Sequence, residues 1–478
     1  MSITPTGEQL AITARVTDTS DGIAVYARAG AAKTTTLTLI AQAMPGKDLL
    51  ALAFNKKIAD EMRERLPAWC ESRTINSLGN EAWKNFRGKP HKIDDKKMFE
   101  LLSAAIKRAE LEDQDALYER FSDLLRVAKD AKQVGYLPPN SHNLLTSIIT
   151  GPDFYGNHEI ILGEVEQALI DSVLRASVRL AFDGMLDFGD QIYLPALCRS
   201  ITFPRRHAVL VDEAQDLSPL NHALLRKIAK GARLIIVGDP CQAIYGFRGA
   251  DEESMRTLSE EFNLASLYLT VCFRSGENIV RNAQWRAPDM QWWPATPPGL
   301  VQTHDKWQLS QLLPGDAIIC RNNAPLFYIA LSMLRSNLKP ELLSGDIIPG
   351  LVKIMKKLGK PSAPTAEARS ALKDWTAAEQ EKNRSADSIA DRASCIELFL
   401  DRSQTLGEAT GLLEAIANMT GSIKLMTGHK SKGLEFDRVW FLDRDLCRPK
   451  GQDLNVRYVI ETRARRELHY ITSQGLTE

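Results

Sequence analysis

Four short apolar runs constrain this chain more than any other feature: GIAVYAR (22–28), DLLALAFN (48–55), HAVLVDE (207–213) and RLIIVGD (233–239). Each is about one strand long, apolar throughout rather than alternating, and ends in polar or glycine residues. That is the pattern of a strand covered on both faces. Such strands belong to parallel sheets flanked by helices, and the segments between them carry apolar residues three or four apart, as helices do. A second set, LYLTVCF (267–273), DAIICR (316–321), SIKLMT (422–427), RVWFLD (438–443) and LHYITS (468–473), predicts a second sheet. The fold class is therefore α/β with two parallel sheets, and ligands are expected beyond the carboxyl ends of the strands. A mainly helical segment interrupts each sheet, at 80–182 and at 341–419.

Composition excludes little. Lys+Arg and Asp+Glu both number 60, so the net charge is zero. Nucleic acid would need basic groups gathered in a channel. The seven cysteines show no C-x-x-C spacing, which argues against zinc and dithiol redox sites and fits reduced thiols in a cytoplasm. MSITPTGEQL has no signal pattern, and no apolar run is long enough for a membrane span, so no membrane partner is expected.

ARAGAAKTTT (27–36) nearly matches the phosphate-binding pattern G-x-x-x-x-G-K-[ST]. Lys33 and Thr34 stand where that pattern places the phosphate-reaching amine and the Mg²⁺-binding hydroxyl. Ala32 replaces the glycine before the lysine. Ala32 is expected in a right-handed conformation, so that its methyl acts mainly by crowding phosphate and the loop is strained or tuned. An alanine-rich helix start would read the same way, and the motif alone does not separate the two. HAVLVDEAQD (207–216) is more specific: an apolar strand delivers Asp212 and Glu213 at its carboxyl end, one suited to holding Mg²⁺ and the other to orienting and deprotonating water. In VGDPCQAIYGFRGAD (237–251), Gln242 stands beyond a strand tip, followed by Tyr245, Phe247 and Arg248, residue types suited to base stacking.

Further segments join these in a fixed order: TGEQ (6–9), FNKKIADEM (54–62), TINSL (74–78), LDFGDQI (186–192), CFRS (272–275), LMTGHKSKGLEF (425–436) and VRYVIETRAR (456–465). Together they resemble the UvrD/PcrA/Rep family of superfamily 1 helicases along essentially the whole chain. The resemblance implies two RecA-like P-loop NTPase motor domains, each with a helical insert. The first motor would be 1–79 with 183–265 and its insert 80–182; the second would be 266–340 with 420–478 and its reduced insert 341–419.

The resemblance also implies ATP and Mg²⁺ as cofactors. Gln9, Ala29, Gly30, Ala31, Ala32, Lys33, Thr34, Thr35, Phe273 and Glu435 would bind nucleotide, with Gln9 and Phe273 at adenine and Glu435 at ribose. Thr34 and Asp212 would hold the metal. Glu213, Lys33, Gln242, Arg274 and Arg463 would be catalytic, the two arginines as fingers on the γ-phosphate. Phe54, Asn55, Asn76, Tyr245, Phe247, Arg248, Thr427 and His429 fall on DNA-contact positions. The implied activity is that of an ATP-dependent 3′–5′ DNA helicase on single strands and single-strand/duplex junctions, acting as a monomer in replication, recombination or repair in a bacterial or phage-infected cell.

The chain departs from the family at Ala32, at Thr35 where relatives carry an arginine, in its short second insert, and in ending soon after Ala464, at residue 478. A protein partner is expected to replace the hairpin that relatives carry beyond that point. Two rival readings stay open: an ATP-gated clamp with weak turnover, and a motor subunit of a larger defence or recombination complex. Trp292 and Trp293, in QWRAPDMQWWPATPPG (284–299), are expected as buried indoles pinning a connector, with base stacking as the alternative.

Overall fold

The computed structural model describes residues 5–53, 55–246, 253–343, 347–382 and 386–477. It forms two compact units: Met1–Ala27 with Ala32–Leu269, and Arg28–Ala31 with Thr270–Glu478.

In the first unit, β1 (Ile23–Ala27), β2 (Leu49–Ala53), β3 (Cys70–Thr74), β4 (Ala208–Val211), β5 (Arg233–Gly238) and β6 (Ala265–Leu269) make one parallel sheet. Their spatial order is β3-β2-β4-β5-β1-β6. The four apolar runs read from sequence are its four inner strands. The edges β3 and β6 carry mixed burial, because an edge strand needs no continuous apolar run. LYLTVCF therefore requires a correction. Its first half lies in β6, with Leu267 beside Val25, and belongs to the first sheet. Only Val271–Cys272 continues beyond, pairing with Gln291–Trp292.

In the second unit, β7 (Leu300–Thr303), β8 (Ala317–Cys320), β9 (Pro340–Leu342), β10 (Ile423–Thr427), β11 (Phe436–Leu442) and β12 (Ala464–Ile471) form a second parallel sheet, ordered β7-β12-β11-β8-β10-β9. Again the inner four are the runs legible in the sequence and the outer two are not.

The two helical segments are built differently. The first includes helices Lys97–Ile106, Phe121–Val134 and Glu164–Asp183. It has its own apolar core, including Met98, Leu102, Leu124, Val127, Ile170 and Leu174. The second, with helices Ile348–Leu358, Thr365–Lys382, Ala386–Leu400 and Leu406–Ala417, has no separate core among the described residues. Its Leu351, Met355, Phe399 and Leu413 share one core with Ile318, Leu326, Phe327 and Trp440 of the sheet layer. Asp391 reinforces this joint by accepting the backbone N–H groups of Asn323 and Ala324, both at 3.1 Å, where helix Ala324–Arg335 begins. Among the described residues no helix is long and apolar enough to cross a membrane.

Candidate active site

Because β4, β5 and β1 are parallel neighbours, their carboxyl ends lie side by side. Helix Lys33–Gln42 starts just after β1, and Ala32 precedes it at φ 56°, ψ 42°, in the left-handed region. This corrects the expectation of a right-handed Ala32. The backbone conformation, not crowding alone, makes glycine the fitting residue there, since a left-handed alanine costs about 1–2 kcal/mol. Ala32→Gly should therefore raise the melting temperature and tighten ATP binding, with a net gain of about 1 kcal/mol after allowing for glycine's greater freedom when unfolded. Thermal melts and ATP titration check this; an unchanged or lower melting temperature would show that the loop holds no such strain.

Lys33 Nζ lies 2.7 Å from Glu213 Oε2. Burial pushes the Lys33 ammonium down, but Glu213, Asp212 and Asp239 outweigh it and leave the group above its ordinary value. Asp212 is 4% exposed, and burial together with the neighbouring Glu213 charge pushes its carboxyl up to about 7. The Glu213 backbone, at φ 50°, ψ 42°, is a second left-handed non-glycine position. Strain of this kind persists where surrounding contacts over-determine it, and it concentrates at functional sites.

A chain of hydrogen bonds leaves this centre. Gln215 Nε2 donates to Glu213 Oε2 at 2.5 Å, and Gln215 Oε1 accepts the Asp239 N–H at 3.0 Å. Asp239 Oδ2 accepts from Gln242 Nε2 at 2.7 Å. Gln215, Asp239 and Gln242 are all buried. A Cβ at Gly238 would lie 2.4 Å from Gln215 Oε1, so β5 must end in glycine for the glutamine to cross. The path runs Lys33, Glu213, Gln215, Asp239, Gln242 and joins the ends of β1, β4 and β5.

In the second unit, Arg274 and Arg463 meet at Thr462. Arg274 Nη1 donates to the Thr462 carbonyl at 3.1 Å, and Arg463 Nη2 donates to the Thr462 hydroxyl at 3.2 Å. Arg463 is 1% exposed and also donates to the carbonyls of Val459 and Leu434. Glu435 holds Arg274 at 2.5 Å and Arg465 at 3.1 Å. Burial alone would raise the Glu435 carboxyl, but Arg274 and Arg465 hold it below its ordinary value. Phe273 and Trp293 are half-exposed and in contact, with ring centroids 5.2 Å apart. Arg281 stacks over Trp292 at 4.8 Å. The expected buried indoles are thus corrected: both tryptophans pack on neighbouring side chains at the surface, and Trp293 is 41% exposed. Arg28–Ala31 group with this unit, the Ala29 N–H donating to Tyr458 Oη at 3.2 Å and the Gly30 carbonyl accepting from the Phe273 N–H at 3.0 Å.

A cavity of about 520 Å³ in the first unit brings Asn76 and Tyr245 together with Phe188, Lys129, Lys132 and Gln133. Phe188 is 62% exposed, so its ring is open to solvent on the cavity wall.

The UvrD/REP helicase N-terminal domain matches residues 8–263. The chain belongs to the UvrD/REP helicase family. F-box DNA helicase 1 of Gallus gallus is 24% identical over 91% of this chain and 44% of its own length. ATP-dependent DNA helicase srs2 of Schizosaccharomyces pombe is 28% identical over 65% of this chain and 37% of its own. ATP-dependent DNA helicase PcrA of Bacillus subtilis is 26% identical over 55% and 37% respectively. The chain spans less than half the length of each of these UvrD/REP relatives.

Several positions expected from the family pattern are occupied by local structure. Gln9, expected at adenine, is 2% exposed; its Oε1 accepts the Thr6 N–H and its Nε2 donates to Thr36, so it caps helix Gly7–Asp18 and ties it to helix Lys33–Gln42. Asn55 caps helix Lys56–Arg65 through the Ile58 N–H. Thr34 and Thr35 are half-buried in the first turn after Lys33. Thr427 is buried at the end of β10, and His429 lies half-buried in the short helix Gly428–Ser431. Phe54, Phe247 and Arg248 lie outside the described residues. Sequence reasoning missed Gln215, Asp239, Thr462 and Phe188. All four stand within the quoted motifs, beside residues that drew attention by their chemistry, and only the fold shows which side chains they meet.

Proposed function

We propose that this chain is an ATP- and Mg²⁺-dependent single-stranded DNA translocase working as a 3′–5′ DNA helicase in replication, recombination or repair. The observation that carries the reading is the unbroken polar path from Lys33 through Glu213, Gln215 and Asp239 to Gln242. It connects a phosphate-reaching amine and a water-activating carboxylate with the segment leading to Tyr245. The DNA helicase names of the relatives support the same reading.

Thr34 and Asp212 suit Mg²⁺ as hard oxygen donors, and the Asp212 carboxyl, raised to about 7, marks a buried charge imbalance that a divalent cation would relieve. Bound there, the metal supplies charge neutralisation at the phosphate oxygens. Lys33 grips the same phosphates. Glu213 orients a water and takes its proton. Arg274 and Arg463 stabilise charge developing on the transferred phosphoryl group, an effect worth about 10³–10⁵ in rate for such fingers. Gln242 senses the phosphate and passes its displacement toward Tyr245, and Asn76, Tyr245 and Phe188 hold a base in the cavity between them.

Phe188→Ala should weaken binding of a fluorescent single-stranded oligonucleotide by about 1–3 kcal/mol, the usual worth of one base stack. Its exposure means that thermal stability should hardly change. Unaltered anisotropy titrations would remove Phe188 from the track.

Strand displacement on 3′-tailed, 5′-tailed and blunt duplexes, with and without ATP, tests the whole reading. ATP-dependent unwinding of the 3′-tailed substrate alone is expected; unwinding only from 5′ tails would overturn the direction. The strained Ala32 favours one second reading, an ATP-gated clamp that binds single strands and turns over little.

A further inference from the structure

We propose that Lys84, Arg87, Lys89 and Lys92, at the root of the first helical insert, form a track for the phosphate backbone of a strand that leaves the cavity lined by Asn76, Tyr245 and Phe188. This rests on the single-strand reading above and adds a second contact surface, confined to the first unit. Two segments lead from the cavity to these residues. Helix Ile75–Arg87 has Asn76 on the cavity wall and carries Asn80 and Lys84 at four-residue spacing, on one side. The chain then turns and comes back: Lys92–Ile93 pairs with Met185–Leu186, and Asp95 reaches the same cavity wall. His91 Nε2 lies 2.7 Å from Asn80 Oδ1 and ties the two segments together. From Asn76 to Arg87 the helix runs about 16 Å at 1.5 Å per residue. Phosphates of one strand stand about 3.4 Å apart along a stacked helix and farther apart when drawn out, so these four cations suit that length.

The charge here is uncompensated. Lys84, Lys89 and Lys92 are exposed and Arg87 is half-buried. Among the described residues none of the four meets a carboxylate at ion-pair distance. Other cations of the same unit do: Arg73, Arg206 and Arg226 are all paired with acids. Arg87 is held instead by the carbonyls of Phe182 and Pro90, at 3.0 and 3.2 Å, which fix the guanidinium and leave its charge in place. Burial, then the Arg87 and Lys84 charges, hold the His91 imidazole below its ordinary value, as a local positive field would. The whole chain is neutral, so this patch is a local gathering of cations, and such gatherings draw polyanions. The cavity wall carries Asp95 and Asp216, which repel phosphate and suit base amino groups. Bases therefore enter the cavity, and the phosphates that follow lie along the cations outside it.

The experiment titrates a fluorescent single-stranded oligonucleotide across a salt series. The triple variant Lys84→Gln, Lys89→Gln, Lys92→Gln should bind about 10²-fold more weakly near about 0.1 M salt. Its slope of log affinity against log salt should flatten by about 2, since each single-strand phosphate contact contributes about 0.7. Its melting temperature should hold, because the lysines removed are exposed and unpaired. Arg87 is left in place for the carbonyls it bonds. Arginine at the same three positions should keep both affinity and slope. A control, Lys47→Gln, Lys107→Gln, Lys230→Gln, removes the same charge at exposed positions away from the track and should bind as wild type does. An unchanged slope in the track variant, or an equal loss in the control, overturns the track. Wild type that binds polyglutamate through these lysines, and a single strand without them, assigns the surface to an acidic protein segment and also overturns it. A wild type that binds no single strand would instead remove the single-strand reading, and the track with it.

Discussion

Glu213→Gln is expected to lower DNA-stimulated ATP hydrolysis by about 10²–10⁴-fold, the usual contribution of a positioned general base, while ATP binding changes only a few-fold. Glu213 takes its position from both sides. Its backbone is fixed in the left-handed region two residues past the end of β4, and its Oε2 accepts from Lys33 and Gln215. Glutamine keeps the side-chain length, and its amide oxygen can still accept from Lys33. It cannot take a proton from water. Lys33→Ala makes the contrast, because it removes the phosphate grip and should weaken binding and rate together. Single-turnover hydrolysis alongside nucleotide titration separates the two. Equal, low rates in wild type and Glu213→Gln would mean that Glu213 activates nothing and that the clamp reading holds. A full rate in the variant would assign the base elsewhere.

Legibility in the sequence followed burial. In both sheets the inner strands announce themselves, because a strand covered on both faces must be apolar along its whole length. The outer strands do not: β3 is Cys-Glu-Ser-Arg-Thr, and β7 is largely exposed. LYLTVCF misled because one continuous apolar run spans an edge strand of one sheet and the start of a ribbon elsewhere. At the site, residues with distinctive chemistry were readable one at a time. Their relations were not. Nothing in the spacing shows that Gln215 joins Glu213 to Asp239, or that Thr462 gathers Arg274 and Arg463. Ala32 teaches a related lesson, since a backbone sign decides its meaning and composition carries no such sign. At Gln9 two readings coincide: its motif position suggests a base reader, and Thr6 three residues earlier spells a capping box, whose bonds the amide makes.

Asp190→Ala should destabilise the first unit by about 3–5 kcal/mol, the cost of leaving buried charge unpaired. Asp190 is fully buried, 2.6 Å from Lys97 Nζ and 2.7 Å from Lys132 Nζ, and Asp187 holds Lys132 at 2.5 Å. The two aspartates also exchange backbone bonds, each N–H reaching the other's carboxylate at 2.9 Å. Removing Asp190 leaves two buried ammonium groups on one carboxylate. The lysines are driven oppositely: burial prevails at Lys97 and lowers it, while Asp190 and Asp187 prevail at Lys132 and raise it. Burial pushes the Asp190 carboxyl up, but Lys132 and Lys97 hold it below its ordinary value. A depressed carboxylate stabilises the fold above its unfolded pKa, roughly 3.9, and loses that contribution as pH falls through its folded value. Denaturant melts at pH 7 should therefore separate variant from wild type clearly, and melts near pH 3 should bring them closer. Asp190→Ala with Lys97→Met should recover part of the loss, because it removes one stranded charge with its partner. The cluster also frames Phe188, which lies between Asp187 and Gly189 on the wall of the cavity that Lys132 lines. Single-strand affinity should therefore fall in Asp190→Ala although Asp190 itself is inaccessible. A variant that melts with wild type and binds DNA normally would show that apolar packing alone holds the first insert to its sheet.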